Sequence, residues 1–228
     1  VSTFLGESGS YGTNVGLAPS NDTDSLYGST AYELVTVNNN GSGISFITEY
    51  PAENIPGLAF DYTREILYGI DGSNFFVLNQ NTGNKTALAS PQTSSLQALA
   101  YGNGGVYALG DGQQDLRFYD PNINAWSIVG DTGEVWPNAG LAFDPFNNVL
   151  YAKSSEDTFL YQIDPSNAAT TQIGDTGSNK GGGLAFSLFQ VPPPQEPNDT
   201  LSLASYTGLT RSNYGSFNYS GEIDTTSD

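Results

Sequence analysis

The stretch "GLAFDPFNNVLYAKSSEDTFLYQIDPSNAATTQIGDTG", residues 140–177, decides the fold of this 228-residue chain. It holds four short runs of strand-like composition, separated by turn sequences such as "DPFNN" and "DPSNAA". In the third run, "TFLYQID", Phe159, Tyr161 and Ile163 alternate with other residues and share one face of a strand. No window of the sequence shows a sustained helical period. The stretch therefore predicts four antiparallel strands joined by hairpin turns.

The same unit recurs along the chain. "GLAFDYTREILYGID" begins at residue 57, "ALAYGNGGVYALGDG" at 98, the weaker copy "GLAPSNDTDSLYGST" at 16 and a fifth start, "GLAFSLF", at 183. Successive starts are thus 41 to 43 residues apart. Four antiparallel strands in about forty residues, repeated, are typical of a β-propeller blade, whereas the repeats of a solenoid, the rival architecture, are usually shorter. We predict an all-β propeller of about five blades.

The two ends of the chain are predicted to share the last blade. Residues 2–9, "STFLGESG", match the end of a unit, and residues 183–190 supply a first strand. That blade then lacks its two middle strands, and two further candidate strands follow at 201–209 and 215–223. The predicted organisation is a propeller over 1–191, a Pro-rich linker over 192–200 and a C-terminal strand pair over 201–228. The strand pair completes the blade in the same subunit or in a neighbour, or the segment is a flexible tail.

Two resemblances accompany this pattern. The units resemble the "GLAFDP…LY…ID…TG…IG" propeller repeats of secreted bacterial proteins. The sequence "EPNDT", residues 196–200, and the strands after it resemble the opening of the bacterial pre-peptidase C-terminal domain, a small β-sandwich that follows catalytic or repeat modules. The acidic and aromatic strands that continue this family are absent here, which implies either a truncated sandwich or a reused strand pair. Either arrangement leaves unpaired strand edges, and such edges recruit partners.

Composition restricts the function and the compartment. The net charge is −18, from 24 acidic and 6 basic residues, so the chain repels nucleic acid and anionic membrane surfaces. It contains no Cys, His or Met, which excludes disulfides, thiolate metal sites and His-dependent catalysis. No stretch reaches the ~18 apolar residues that a membrane span needs. Val1 is interpreted as a processed N-terminus, and we predict an extracellular or cell-surface protein.

Carboxylates are the remaining catalytic candidates, and a resemblance to five-bladed glycosidases, which use Asp and Glu, raises an enzyme as an alternative. The Asp residues, however, recur at equivalent turn positions, where Asp caps turns: Asp61 with Asp144, Asp120 with Asp164, and Asp131 with Asp175. We therefore predict no enzyme, no catalytic residue, no cofactor and no metal ligand set. Calcium stays a candidate partner for "SNDTDS" (20–25) and "GDGQQD" (110–115), although neither has the EF-hand spacing.

The function predicted from the sequence is a non-enzymatic extracellular structural or assembly protein. It would be a filament or matrix subunit that binds itself by strand addition. The alternative is a lectin-like, glycan-binding propeller, for which Trp126 and Trp136 are candidate stacking residues because they flank one "GDTG" loop. Packing in the core is the other interpretation of these two rings. Five Asn-X-Ser/Thr sequons are candidate glycosylation sites: Asn21, Asn40, Asn84, Asn198 and Asn218.

Overall fold

A computed structural model of the chain describes residues 16–20, 25–29, 33–38, 43–49, 54–92 and 95–186. These residues all belong to one compact unit, Val1–Phe189. They form sixteen strands and no helix, arranged as a β-propeller of four-stranded antiparallel blades. The fourth strand predicted at residues 2–9, the linker over 192–200 and the strand pair over 201–228 lie outside the described residues, and the described part of the first strand predicted at 183–190, residues 183–186, has no strand assignment.

Each blade takes its four strands from one sequence unit, and strands that follow one another in the chain pair with each other. Blades 1 and 2 consist of β1 (Gly16–Pro19), β2 (Ser25–Ser29), β3 (Glu33–Asn38), β4 (Ile44–Glu49), β5 (Gly57–Asp61), β6 (Ile66–Asp71), β7 (Asn74–Leu78) and β8 (Lys85–Ala87). Blades 3 and 4 consist of β9 (Leu96–Gly102), β10 (Gly105–Gly110), β11 (Asp115–Asp120), β12 (Ala125–Asp131), β13 (Gly140–Asp144), β14 (Val149–Lys153), β15 (Phe159–Ile163) and β16 (Thr170–Asp175). The prediction of four-stranded antiparallel units is confirmed.

The first strand of each unit is the innermost, and its small residues let neighbouring units approach closely. A methyl group added to Gly57 would lie 2.9 Å from the carbonyl oxygen of Gln97, in the next unit. One added to Gly140 would clash with the carbonyl oxygen of Gly182, at 2.0 Å. Contacts this short exclude any side chain, so glycine is required by backbone packing at both positions.

Alternate residues of each blade contact the blade before it and the blade after it. We call the side that faces the following unit the leading face, represented in blade 2 by Ala59, Tyr68, Ile70 and Phe75. The opposite side is the trailing face, represented in blade 3 by Leu99, Val106 and Tyr119. The two sets form one buried cluster between blades 2 and 3, and equivalent clusters join blades 1 and 2 and blades 3 and 4. The core therefore consists of a series of interfaces between blades.

The repeated Asp residues hold turns, as their positions predicted. The carboxylates of Asp120, Asp131, Asp164 and Asp175 each accept a hydrogen bond from the backbone N–H two residues further on. Asp61 and Asp144 do the same from buried positions, and each also accepts from the N–H three residues on. All six carboxylates are thus accounted for as turn caps.

A β-bulge interrupts the pairing of the third and fourth strands at the same place in three blades. The register shifts at Leu34/Val35, at Leu116/Arg117 and at Leu160/Tyr161. Blade 2 pairs β7 with the three-residue strand β8 without such a shift. One extra residue in the outer strand increases the twist of a blade at its edge.

Candidate functional site

The innermost segments of five sequence units surround one central space. It is too narrow to hold a water molecule, and it is lined by residues from all five unit starts: Gly16, Leu17, Gly57, Leu58, Ala98, Leu99, Gly140, Leu141, Gly183 and Leu184. The N–H of Gly182 donates to the carbonyl of Asn138 over 2.9 Å, which fixes the fifth segment beside β13. Backbone and aliphatic groups dominate this lining, so the space offers no acid, base or nucleophile.

The leading face of blade 4 is less covered than the leading faces of the other three blades. Tyr27, Tyr68 and Tyr107 are at most 8% exposed, whereas the equivalent Tyr151 is half-buried. The same contrast holds one strand further out, where Leu160 is half-buried and its counterparts are buried: Leu34, Phe75 and Leu116. Apolar side chains on this face therefore retain contact with solvent.

The trailing face of blade 1 shows the complementary pattern. Leu17 and Leu26 are half-buried. Their equivalents in the later blades are at most 2% exposed: Leu58 and Leu67, Leu99 and Val106, and Leu141 and Leu150. Among the described residues, the first and last faces of the blade series thus share half-buried apolar side chains at positions that are buried in the other blades.

Lys153 gives the leading face of blade 4 a charge that the other blades lack. The equivalent position in the other blades holds Ile70, Leu109 or Ser29. A charged residue that breaks this pattern was therefore a sequence signal for Lys153, and sequence reasoning missed it. The side chain is buried, and its ammonium donates to the carbonyl oxygens of Ser154 and Asp157, each at 2.6 Å. Burial lowers the pKa of Lys153, while the charges of Asp157 and Asp175 oppose that change.

Asp157 connects this lysine with the core between blades 3 and 4. Its carboxylate accepts a 2.5 Å hydrogen bond from the hydroxyl of Tyr161, whose ring packs edge-on against Trp136. Burial, and then the bond to Asp157, raise the pKa of Tyr161. These contacts tie the loop over 154–158 to the second and third strands of blade 4.

The two tryptophans proposed as glycan contacts occupy packing positions. Trp136 is fully buried, and its indole N–H donates to the hydroxyl of Thr132 over 2.8 Å. Trp126 is partly buried against Phe75, 4.9 Å between ring centroids, and its indole N–H donates to the carbonyl of Ala89. In this structure Trp136 has no exposed ring face with which to stack on a sugar. Glycan binding by the chain stays a prediction.

The other predicted site residues are only partly covered by the structure. Asn84 is exposed in the turn between β7 and β8, whereas the remaining four sequon asparagines lie outside the described residues. Within the ranges that the structure describes, no group of three or more Asp or Glu side chains could hold a metal ion. Residues 21–24 of the "SNDTDS" sequence are outside those ranges. The described part of the chain likewise includes no helix that could cross a membrane.

Comparisons with known proteins support the fold alone. No protein-family model and no curated protein matches the sequence. Among solved structures, the chain is similar to one in the crystal structure of a nidogen/laminin complex, with a TM-score of 0.58 and 13% identity over 75% of this chain and 68% of that one. It is also similar to Kuenenia stuttgartiensis hydrazine synthase, with a TM-score of 0.50 and 11% identity over 72% of this chain and 50% of that one. With 837 matching chains, the fold is too widespread to assign a function.

Buried tyrosines predict a specific loss of stability in alkali. Burial raises the pKa of Tyr68 to about 12, and burial together with Asp61 raises that of Tyr101. Each folded-state pKa lies above the unfolded value of ~10, so the stabilisation is complete below pH ~10 and is lost as the pH rises through the folded pKa. We expect the free energy of unfolding to fall by up to about 1.4 kcal/mol per pH unit for each such tyrosine.

Phenolate absorbance and urea denaturation measured over the same pH range test this expectation. Part of the signal of the 14 tyrosines should appear only as the chain unfolds. Tyr68→Phe and Tyr161→Phe should each reduce that late fraction. Titration of all tyrosines in one early step, with the fold intact, would contradict the burial described above.

Proposed function

We propose that the chain is a non-enzymatic extracellular structural subunit that assembles with further copies of itself by strand addition to a fifth, incomplete blade. The observation that carries this proposal is the pair of half-buried faces, on blade 4 and blade 1, at the two ends of the blade series. An apolar sheet face in a propeller is normally covered by the next blade. In the proposed assembly, strands from a second copy cover these two faces.

Equivalent glycine contacts favour a fifth unit beside blade 4. A methyl group on Gly16 would lie 3.0 Å from the carbonyl oxygen of Pro56, and one on Gly57 would lie 2.9 Å from that of Gln97. The contact of Gly140 with Gly182 has the same form. The contacting residues are 40 to 42 positions apart each time, which supports the proposal that segment 181–186, although it is not a strand in the structure, takes the place of the innermost strand of a fifth blade.

Such a blade needs three more strands. The sequence supplies one candidate at residues 2–9 and two more at 201–209 and 215–223, the last two separated from the propeller by the Pro-rich linker. An extended linker of nine residues, 192–200, spans up to about 28 Å at ~3.1 Å per residue. That reach is compatible with delivery of the strand pair to a neighbouring subunit, and repetition of one such contact from head to tail gives a fibre.

Two further observations support a binding role without catalysis. The six repeated Asp carboxylates cap turns, and the central space has an aliphatic lining. The nidogen/laminin structure contains a protein of this fold in complex with a partner protein, as its name states. Propellers can therefore act through surfaces that bind other chains.

Deletion of residues 192–228 provides the main test. The full-length chain should form oligomers or fibres in mass photometry and electron microscopy, and the truncated chain should be a monomer, because it lacks the strands that are exchanged. Two proline substitutions, Leu203→Pro and Phe217→Pro, should have the same effect without shortening the chain, since proline cannot donate to a sheet.

Ser212→Pro is the matched control, because residue 212 lies between the two candidate strands and its substitution should leave assembly intact. The circular dichroism of all variants should stay that of a β-protein, which separates loss of assembly from loss of folding. A full-length chain that is still monomeric at about 100 μM would rule out the proposal, since an assembly contact of ordinary strength is populated there.

A further inference from the structure

One large apolar residue closes each described interface between blades. Ile55 lies between blades 1 and 2, Leu96 between blades 2 and 3, and Trp136 between blades 3 and 4. Each lies where the chain enters an innermost strand, two to four residues before the unit start, and each is fully buried; Ile55 and Trp136 precede their strands, whereas Leu96 is the first residue of β9. We call these three residues the plugs. Although their side chains differ in size, their shared position indicates that each described interface uses an apolar group from this entry segment.

The loop that leads into the fifth unit has no plug. Residues 176–182, "TGSNKGG", contain no apolar side chain, and residues 176–180 are exposed. The loop otherwise starts like the one before it: Thr132 and Thr176 each donate through their hydroxyls to a carbonyl 18 residues earlier, Gln114 and Thr158. Lys180 lies four residues after Thr176, just as Trp136 lies four residues after Thr132.

The missing plug coincides with the incomplete burial of the leading face of blade 4. In the cluster between blades 3 and 4, Trp136 packs together with Leu116 and Tyr107, which are at most 4% exposed. Their equivalents beside the plugless loop, Leu160 and Tyr151, are half-buried. A large apolar side chain at this place would therefore contact Leu160 and Tyr151, which residues 176–182 do not cover.

We infer that this plugless interface is a binding site for an aromatic side chain that belongs to the extension of a second copy of the chain, residues 201–223. This inference rests on the proposed assembly and names its anchoring contact. The extension carries four aromatic residues: Tyr206, Tyr214, Phe217 and Tyr219. Residues 192–228 contain five acidic residues and one basic residue, and residues 1–191 contain nineteen and five, so both parts are acidic and the apolar contact has to supply the binding.

Filling the site from within the same chain should weaken assembly. Lys180→Trp restores a plug at the equivalent position and should raise the dissociation constant of the full-length assembly at least about tenfold, because the incoming ring is displaced. Lys180→Ser removes the charge without filling the space and should change the constant by less than about threefold, since an exposed charge contributes little. Equal effects of the two substitutions would overturn the inference.

A fluorescent label reports occupancy of the site directly. The chain has no cysteine, so Asn179→Cys introduces a single attachment point for an environment-sensitive dye on the plugless loop. Addition of unlabelled full-length chain should shift the dye emission to the blue over the same concentration range in which mass photometry shows assembly. Unlabelled chain in which the four aromatic residues of the extension are replaced by serine should produce no shift.

The possible outcomes separate this inference from the proposed function. Assembly without a dye shift would overturn the inference and leave strand addition intact. A dye that is already shielded in the dilute monomer would place the occupant in the same chain and would also overturn it. Absence of assembly at every concentration would overturn both.

Discussion

Replacement of Trp136 by alanine is expected to lower the free energy of unfolding by about 4 kcal/mol, the usual loss for removal of a buried aromatic ring. The ring is fully buried between blades 3 and 4 and packs edge-on against Tyr161, 5.5 Å between centroids. Its removal leaves a cavity and also leaves the hydroxyl of Thr132 without its indole donor. Urea denaturation followed by circular dichroism measures the effect.

Val135→Ala is the control for this substitution, because Val135 is the neighbouring residue on the same loop and is 40% exposed. It should change the stability by less than about 0.5 kcal/mol. A loss below about 1 kcal/mol for Trp136→Ala would mean that the ring is not the buried plug described here.

Replacement of Gly140 by alanine is expected to cost about 3 kcal/mol, because the added methyl group meets backbone atoms rather than a movable side chain. Besides the clash with the carbonyl of Gly182, it would approach the N–H of Leu184 at 2.8 Å. The substitution thus tests whether the fifth innermost segment packs against β13.

Gly174→Ala is the matched control on the outer strand of the same blade. No atom lies within 4 Å of a methyl group at that position, and the backbone there is not in the left-handed region. This substitution should be neutral or stabilise the fold by up to about 1 kcal/mol, since alanine restricts the unfolded chain. If the two alanine variants unfold at the same urea concentration, segment 181–184 does not pack as described, and the argument for a fifth unit fails.

The repeat and its strands could be predicted from the sequence because they depend on local rules. Alternation in runs such as "TFLYQID" and turn residues such as Asp164 act over a few positions, and the structure confirms four strands per unit and the Asp caps. The aligned tyrosines were equally visible as a pattern. Because neighbouring units pack face to face, the tyrosines that belong to the described clusters fill the interface with the next blade.

The unequal burial of equivalent residues could not be predicted in this way. Tyr107 and Tyr151 occupy the same position of their second strands, each before an alanine, yet they differ in burial because of what lies opposite each of them. Lys153 and the plugs become visible only when the units are compared at single positions, because the overall composition and the repeat length do not identify one residue. The choice between stacking surface and core for Trp136 likewise depends on the position of a loop in three dimensions.

The repeated bulge also affects how readily the outer strands of the blades pair with other polypeptides at high protein concentration. A regular, straight outer strand is a template on which any extended polypeptide can pair. Blades 1, 3 and 4 have an irregular rim at the same position, and the rim of blade 2 is only three residues long. Random sideways aggregation is therefore disfavoured along the outer strands of the four described blades.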